Sequence, residues 1–443
     1  MLHRITLTAL ALSVSSSVTA QVIQAPPRQI QPPPPASSVN QNLDLNVTLL
    51  GGYDRAPSPL ASAVLPPVGV LARPTPSGAV GTFDSALTYD RTSRKRTLNA
   101  STRGYVNSYQ SSGTGALYGG DASGSVGFLG RRDTLRLSQS FQLAPFYSVG
   151  VLGPIGGVAG NPTIGFTHGQ TWAASSLGSW SHEWTRTTEM TASYTYGRFG
   201  HSTATLPGQY RTEFHSGRIN FDRRLGRNLT AQGGVKRSAT RNPQSGTYQF
   251  TVEDGVDGGF FYTRQVSATR GYAISARGGA SRVHWNGSPL QVAFNAWVPT
   301  FSSSFGLDLG RSWRVSSDYS RSVSVPSPLN ATQTAYATDN IGGGVGGSFS
   351  NKLEMAASTT LTRGHTPSGA SPGGTATYSA YMVTGQLQYH LTQSLSTMLN
   401  VGYVETQMNA AASLSFGVVP NLRRTQVRGG FTWNLPLAGR QGN

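Results

Sequence analysis

The chain has 443 residues, a formal net charge of +17 and no cysteine, which excludes disulfides, thiolate zinc sites and thiol catalysis. Charged residues make up 12% of the chain, about half of the ~25% that is usual in globular domains. No apolar run after the N-terminus reaches the ~20 residues of a transmembrane helix.

Residues 1–20 have the features of a secretory signal peptide. A short basic start is followed by an apolar stretch at 5–14 and by small residues before the cleavage site. Residues 21–41 are rich in proline, with a run at 32–35, and predict an extended periplasmic tether because proline donates no backbone hydrogen bond. A short buried helix is the alternative for the first segment, and a peptide-recognition role is the alternative for the second.

From Leu43 onward, apolar and polar side chains alternate, which predicts strands with one apolar and one polar face. The clearest copy is the hairpin Phe305–Val325, in which Trp313 returns on the apolar side after a turn that begins at Gly310. Copies of this pattern recur to give about eighteen strands, joined by short turns and long polar loops in alternation. The clearest long loops are predicted at 144–169, 237–254, 365–377 and 407–422.

Short connections at one end and long ones at the other indicate the up-and-down topology of transmembrane β-barrels, with short periplasmic turns and long extracellular loops. A sheet that is exposed to lipid has to close, because an open edge would leave backbone groups unpaired in hydrocarbon. We therefore predict an all-β, closed antiparallel barrel of about 18 strands (16 to 18) over residues 42–437, followed by a tail at 438–443. A soluble multi-sheet protein or a β-solenoid is the alternative.

Aromatic side chains lie near the predicted strand ends, where membrane barrels carry interfacial girdles. The residues assigned to the membrane interface on this basis are Trp180, Trp313, Phe431 and Trp433. The general β-propensity of aromatic residues is the alternative explanation, but propensity alone does not sort them to strand ends.

The basic residues fall into two groups. Those in the short turns are assigned to the periplasmic rim, in contact with anionic headgroups, although a ligand-binding ring at that mouth is the alternative. The rim group comprises Arg94, Arg131, Arg132, Arg223, Arg224 and Arg311. The second group lies on the polar face within strands and, together with two acids, forms the predicted pore lining. It comprises Arg103, Arg218, Lys236, Arg277, Arg428, Asp84 and Asp318. Rings of Arg and Lys favour anions in a pore, whereas interior charges that pair with each other would simply fill the barrel.

No motif predicts catalysis, a cofactor or a metal. His182-Glu183 lacks the second histidine of a zinc-protease motif. His182 and His215 are the candidates for a Ser/His hydrolase on the outer wall, but both lie in strands where Ser and Thr are common. The acidic segment 253–257 falls in a predicted long loop and fits no calcium-loop spacing, so a solvated acidic turn is expected. Nucleic acid is not an expected partner, because the basic residues and the aromatic residues do not form one patch.

The region 43–437 resembles bacterial outer-membrane β-barrels of the porin-like type. The resemblance rests on the N-terminal segment, the turn and loop alternation, the segment LGRSWRVSSDYSRSVSV and the closing VRGGFTWNLPL. It is most similar to barrels encoded beside exopolysaccharide systems. The resemblance implies a Gram-negative outer membrane, with lipid and lipopolysaccharide, the barrel-assembly machinery and polysaccharide-export components as partners. Such barrels usually end on an aromatic residue, whereas here Asn434–Asn443 follow Trp433, so the assembly signal is internal or altered.

The expected function is a porin-like or export-linked channel for polar solutes, anions or polysaccharide. A barrel of about eighteen strands is wide enough for an aqueous lumen. The alternatives are a structural or adhesive barrel that does not conduct, and a barrel hydrolase.

Overall fold

The computed structural model describes most of the chain from residue 40 onward. The described residues are 40–55, 78–110, 116–145, 170–202, 210–244, 247–267, 269–286, 294–310, 312–324, 336–365, 377–408 and 421–440. The predicted signal peptide, nearly all of the predicted tether and Arg311 lie outside these ranges. Within the described ranges, no helix is long and apolar enough to cross a membrane.

The described residues form 18 β-strands in one sheet. In chain order they are β1 (Asn40–Arg55), β2 (Gly78–Thr92), β3 (Arg96–Tyr109), β4 (Ala116–Leu129), β5 (Asp133–Pro145), β6 (Gln170–Glu183), β7 (Thr188–Ser202), β8 (Tyr210–Arg224), β9 (Leu229–Gln244), β10 (Thr247–Ser267), β11 (Arg270–Trp285), β12 (Phe294–Leu309), β13 (Trp313–Ser324), β14 (Tyr336–Ser348), β15 (Leu353–His365), β16 (Thr377–His390), β17 (Leu395–Met408) and β18 (Asn421–Arg440).

Every strand pairs antiparallel with its neighbours in the chain, and β1 also pairs with β18, so the sheet closes on itself. The closing register runs from Gln41 opposite Arg440 to Arg55 opposite Thr425, with one irregularity after Leu43. Closure gives both edge strands a hydrogen-bonding partner and leaves no open edge. The predicted fold, a closed up-and-down antiparallel barrel of about 18 strands, is confirmed.

The alternation of side chains gives the wall two different faces. Leu49, Phe83 and Val427 lie on one face and are 44–46% exposed, whereas Asp54 and Thr82 lie on the other face and are 0% and 9% exposed. Side chains converge on the concave face of a closed sheet and diverge on the convex face. Most apolar side chains therefore point outward and most polar ones point into the barrel; Val80, Val283 and Trp285 are buried apolar residues with inward register.

The predicted long loop at 237–254 is wrong. Strand β9 continues to Gln244 and β10 begins at Thr247, so this stretch belongs to two paired strands. Its polar composition misled the prediction: Arg237 and Asp254 lie on the outward face as an exposed ion pair with a 3.6 Å separation. The acidic segment 253–257 is consequently part of β10. The other three long connections fall at 146–169, 366–376 and 409–420, outside the described residues.

Candidate functional site: the inward face of the barrel

Contacts between non-adjacent strands identify the inward face directly. Asp257 on β10 contacts Arg218 on β8, and Asp54 on β1 contacts Tyr109 on β3. Side chains can reach past an intervening strand in this way only on the concave side of the wall. Residues that stand opposite each other across a strand pair share a face, so the register extends this assignment to the whole sheet.

Three predicted pore residues meet in a central cluster on β8 to β11. Arg218 donates from Nη2 to both carboxylate oxygens of Asp257, at 2.8 and 2.7 Å, and Arg277 donates from Nη1 to the same carboxylate at 3.3 Å. Lys236 Nζ lies 2.6 Å from Glu253 Oε1. The side chains of Arg218 and Arg277 are only 12% and 13% exposed. These three cations are therefore part of the wall, where two carboxylates offset most of their charge.

Glycines leave room for long side chains to lie flat against the wall. A Cβ at Gly255 would lie 2.9 Å from Lys236 Cε, and a Cβ at Gly234 would lie 3.1 Å from Arg218 Nη2. Neither glycine has a left-handed backbone, since the positive-φ glycines among the described residues are elsewhere. These two positions therefore require glycine because it has no side chain, which leaves space for the neighbouring Lys and Arg side chains.

A second cluster, the seam cluster, joins β18 to β1, β2 and β3 near the loop end of the barrel. Asp54 is fully buried and accepts hydrogen bonds from Arg424 Nε at 2.9 Å, Gln426 Nε2 at 2.6 Å and Tyr109 Oη at 3.0 Å. Arg428, a predicted pore residue, is 8% exposed and donates to Thr82 Oγ1 at 3.1 Å. Arg428 therefore lies within the wall and presents little charge to the lumen.

A third pair is more open to water. Arg103 on β3 donates from Nε to Asp84 Oδ2 at 2.7 Å, and its side chain is 43% exposed. Asp121 on β4 stands opposite Arg103 in the register. One cation here faces two carboxylates.

Asp318 is a predicted pore residue with no cation in contact among the described residues. It lies on β13 between Ser304 and Gly342, and a Cβ on Gly342 would collide with its carboxylate. No hydrogen-bond donor in the described part of the chain contacts Asp318 either, and its side chain is half-buried.

Sequence reasoning missed the hydroxyl groups between these clusters. Ser101, Ser123, Ser140 and Ser175 stand in register across β3 to β6. Their hydroxyls pair at 2.7 Å between the first two and at 2.6 Å between the last two. The period of two already placed these serines on the polar face, but their alignment depends on the register, which alternation alone does not give. The inward wall is consequently lined by hydroxyls as well as by charges.

The predicted rim and interface residues lie at the strand ends. Arg94, Arg131 and Arg132 are exposed in short turns, and Arg223 and Arg224 are exposed at the end of β8. The four assigned aromatics have outward register. The rings of Trp313 and Phe349 pack edge-on with their centroids 4.7 Å apart, and the centroids of Phe431 and Trp433 are 6.1 Å apart. The short-turn end thus carries both cations and aromatics.

Trp180 belongs to a small outward-facing group beside the turn that joins β4 to β5. Its Nε1 donates to Asp133 Oδ1 at 3.2 Å, and His182 Nδ1 lies 2.8 Å from the same oxygen. The hydrogen bond from His182 is the main reason that the pKa of Asp133 is lowered, with a smaller contribution from Trp180. The carboxylate therefore stays charged to a lower pH than an isolated aspartate.

The two histidines that the sequence offered for a hydrolase have other partners. His182 contacts Asp133, and His215 Nδ1 lies 2.7 Å from the hydroxyl of Tyr194. Among the described contacts, neither histidine is paired with a serine. Within the same part of the chain, no group of three or more His, Asp or Glu residues could hold a metal ion.

The closed strand order and its outward apolar face define the chain as a barrel of the outer-membrane type. No protein-family model and no curated protein matches its sequence. Among solved structures it is similar to OccK2 (OpdF) of Pseudomonas aeruginosa, with a TM-score of 0.44, 10% identity and coverage of 90% of this chain and 98% of that one. It is also similar to OccAB2 of Acinetobacter baumannii, with a TM-score of 0.43, 10% identity and the same two coverages. The ferric-catecholate import receptor Fiu of E. coli K12 gives a TM-score of 0.42 and 10% identity over 88% of this chain and 81% of that one. At such identities the likeness is one of fold.

Proposed function

We propose that the chain is an outer-membrane channel that carries polar solutes through its lumen. The observation that supports this proposal is a closed barrel of 18 strands whose inward face is polar and whose outward face is apolar. Barrels of about eight strands are filled by their own side chains, whereas those of 16 to 18 strands leave an aqueous passage. The charged clusters form between neighbouring strands along the wall. Their side chains do not cross the lumen, so the clusters leave it open to solute.

The chemistry of the wall favours solutes that form hydrogen bonds. The aligned row of Ser101, Ser123, Ser140 and Ser175 offers hydroxyl groups that both donate and accept. A sugar chain presents the same groups and could exchange its water for them. This wall would suit a polysaccharide as the solute. A role in polysaccharide export is the function that the resemblance of the sequence implies.

The alternative is a structural or adhesive barrel that does not conduct. One observation favours the structural alternative: Asp54 and Arg424 are buried and join strands to each other. Such pairs stabilise a wall whether or not solute passes beside it.

Single-channel recording in planar bilayers separates the two functions. The purified full-length chain, folded in detergent, should give discrete conductance steps that the same sample does not give after heat denaturation. Heat-dependent mobility on electrophoresis confirms that the sample is folded before it is added. Folded protein that inserts into the bilayer but gives no steps contradicts the channel function and supports the structural alternative.

A further inference from the structure

The charged residues of the chain are sorted between the two faces of the wall. From the described distribution we infer that the lumen selects cations over anions, although the chain as a whole carries +17. This inference rests on the proposed channel function and names the class of solute that the channel prefers. It replaces the expectation from the sequence that basic pore residues favour anions.

Most of the 18 acidic residues of the chain have inward register. They are Asp44, Asp54, Asp84, Asp90, Asp121, Glu183, Glu189, Asp222, Glu253, Asp257, Asp308, Asp318 and Glu354. The remaining acids, Asp133, Glu213, Asp254, Asp339 and Glu405, have outward register. All acidic residues lie within the described part of the chain, so none is left to place elsewhere.

Inward cations are fewer. They are Arg103, Arg136, Arg218, Arg224, Lys236, Arg277, Arg314, Arg424 and Arg428. The other basic residues lie in turns, on the outward face or outside the described residues. Between the strands, the segments outside the described ranges contain Arg73 and Arg311 as their only charged residues. Among the described residues, the positive net charge is therefore carried outside the inward face.

In the described part of the chain, six of the nine inward cations contact a carboxylate, and the inward acids outnumber the inward cations by 13 to nine. Arg218 and Arg277 share Asp257, Lys236 pairs with Glu253, and Arg424 pairs with Asp54. By contrast, Asp318 has no counter-charge among the described residues. The charge that remains to face the water of the lumen is negative.

The short-turn mouth shows the same sorting most clearly. Asp44 and Asp90 lie close enough to repel each other, and Glu189 and Asp222 follow near the same end of β7 and β8. Three cations, Arg136, Arg224 and Arg314, also have inward register at this end. Glu183, Asp308 and Glu354 join the four acids named above, so carboxylates still outnumber cations there. The arginines of the turns themselves, such as Arg94 and Arg131, lie outside this lining. A low-dielectric wall concentrates the field of its lining charges in the lumen, whereas charges on the outer rim are screened over about 10 Å at 0.1 M salt. Linings of Asp and Glu select cations in other pores.

Ion selectivity is measured as the reversal potential of the full-length channel in a KCl gradient from about 1 M to about 0.1 M, where screening is weakest on the dilute side. The sign of the potential should report potassium as several-fold more permeant than chloride. A potential of zero, or of the opposite sign, overturns the inference while leaving the channel function intact. The absence of any conductance overturns the channel function itself.

Two charge-matched triple variants test whether the inward carboxylates are the cause. The inward variant carries Asp90→Asn, Glu189→Gln and Asp318→Asn. The outward variant carries Asp133→Asn, Asp254→Asn and Glu405→Gln, which changes the net charge of the chain by the same amount. The inward variant should lose most of the preference for potassium, and the outward variant should keep it. Equal losses in both variants, or none in the inward one, contradict the assignment; heat-dependent mobility establishes that each variant is folded.

Discussion

The carboxylate of Asp54 shows how much a single buried residue depends on its partners. It is fully buried, and Arg424, itself 5% exposed, supplies the positive charge that balances it. Removing one member of a buried ion pair costs about 3–5 kcal/mol, because the other charge is left in a medium that solvates it poorly. We therefore expect Arg424→Gln to destabilise the barrel by about this amount. Urea unfolding of the protein in phospholipid vesicles, followed by tryptophan fluorescence, measures the change.

The neighbouring Arg423 provides the control. It also pairs with a carboxylate, with Nε 3.0 Å from Glu405 Oε1, but it lies on the outward face and its side chain is 68% exposed. An exposed pair of this kind contributes about 0–1 kcal/mol, so Arg423→Gln should change stability little. The double variant Asp54→Asn, Arg424→Gln should recover part of the loss. Equal losses of stability in Arg424→Gln and Arg423→Gln would show that burial does not determine how much an ion pair contributes to the stability of the barrel.

Asp133 gives a prediction about protonation. Its pKa lies below the ordinary value of 3.8, chiefly because of the hydrogen bond with His182. The folded state therefore favours the carboxylate, and the stability that this contact contributes is present above about pH 4 and is lost as the pH falls through the lowered pKa. Replacement of His182 by alanine should raise the pKa of Asp133 toward the ordinary value. A carboxyl-carbon NMR titration measures it, with His215→Ala as the control; an unchanged pKa in His182→Ala contradicts the assignment.

The inward positions of Arg103, Arg218, Lys236 and Arg277 follow from the period of two alone. Their partners do not follow from it, because Arg218 reaches Asp257 across β9 and Arg277 reaches the same carboxylate from the other side. Such a meeting depends on the register of four neighbouring strands, β8 to β11, and on the curvature of the wall. The sequence therefore identifies which side chains line the lumen, but it does not show which of these charges are offset by a neighbouring residue.

At the scale of single strands, alternation predicted the number, order and pairing of the elements. It failed where the outward face itself becomes polar, as at Arg237 and Asp254, because a strand that is polar on both faces has the composition of a loop. The polar pair interrupts an apolar face, because Val256 precedes it toward the short turns and Val252 and Phe250 follow it toward the loops on the same face of β10.

The strand pair that closes the barrel gives a prediction about glycine. A Cβ at Gly52 would lie 2.1 Å from the carbonyl oxygen of Val427 on β18, whereas a Cβ at the adjacent Gly51 would meet nothing within 4 Å. Gly52→Ala should therefore push β1 away from β18 and lower the yield of closed barrel, while Gly51→Ala should be tolerated. The fraction of protein with the mobility of the folded form on unheated gels measures this. Similar yields for the two variants would show that the seam can shift by more than an ångström without harm.

For the whole molecule, net charge and the charge of the lumen are different quantities. The expectation of an anion-selective pore counted each Arg and Lys on the polar face as free, in a chain whose total charge is +17. Once the sheet is closed, most of the inward cations meet carboxylates. Among the described residues, the surplus of arginine lies in turns and on the outward face. Closure sorts charge as well as hydrophobicity, and only the closed structure shows the result.

The two faces of one strand test the whole arrangement. Leu49 points outward and is 46% exposed, and the adjacent Thr48 points inward, where it pairs with Thr432 at 3.1 Å. If the outward face lies in lipid, Leu49→Arg should destabilise the barrel by about 2–4 kcal/mol, since this is the cost of Arg near the bilayer midplane. Thr48→Arg places the same charge in a wet, acidic lumen opposite Asp84, so it should cost far less and reduce the preference for cations. Urea unfolding in vesicles and the reversal potential measure the two effects. Equal destabilisation by both variants would contradict the assignment of the faces, because only one of these neighbours can point into lipid.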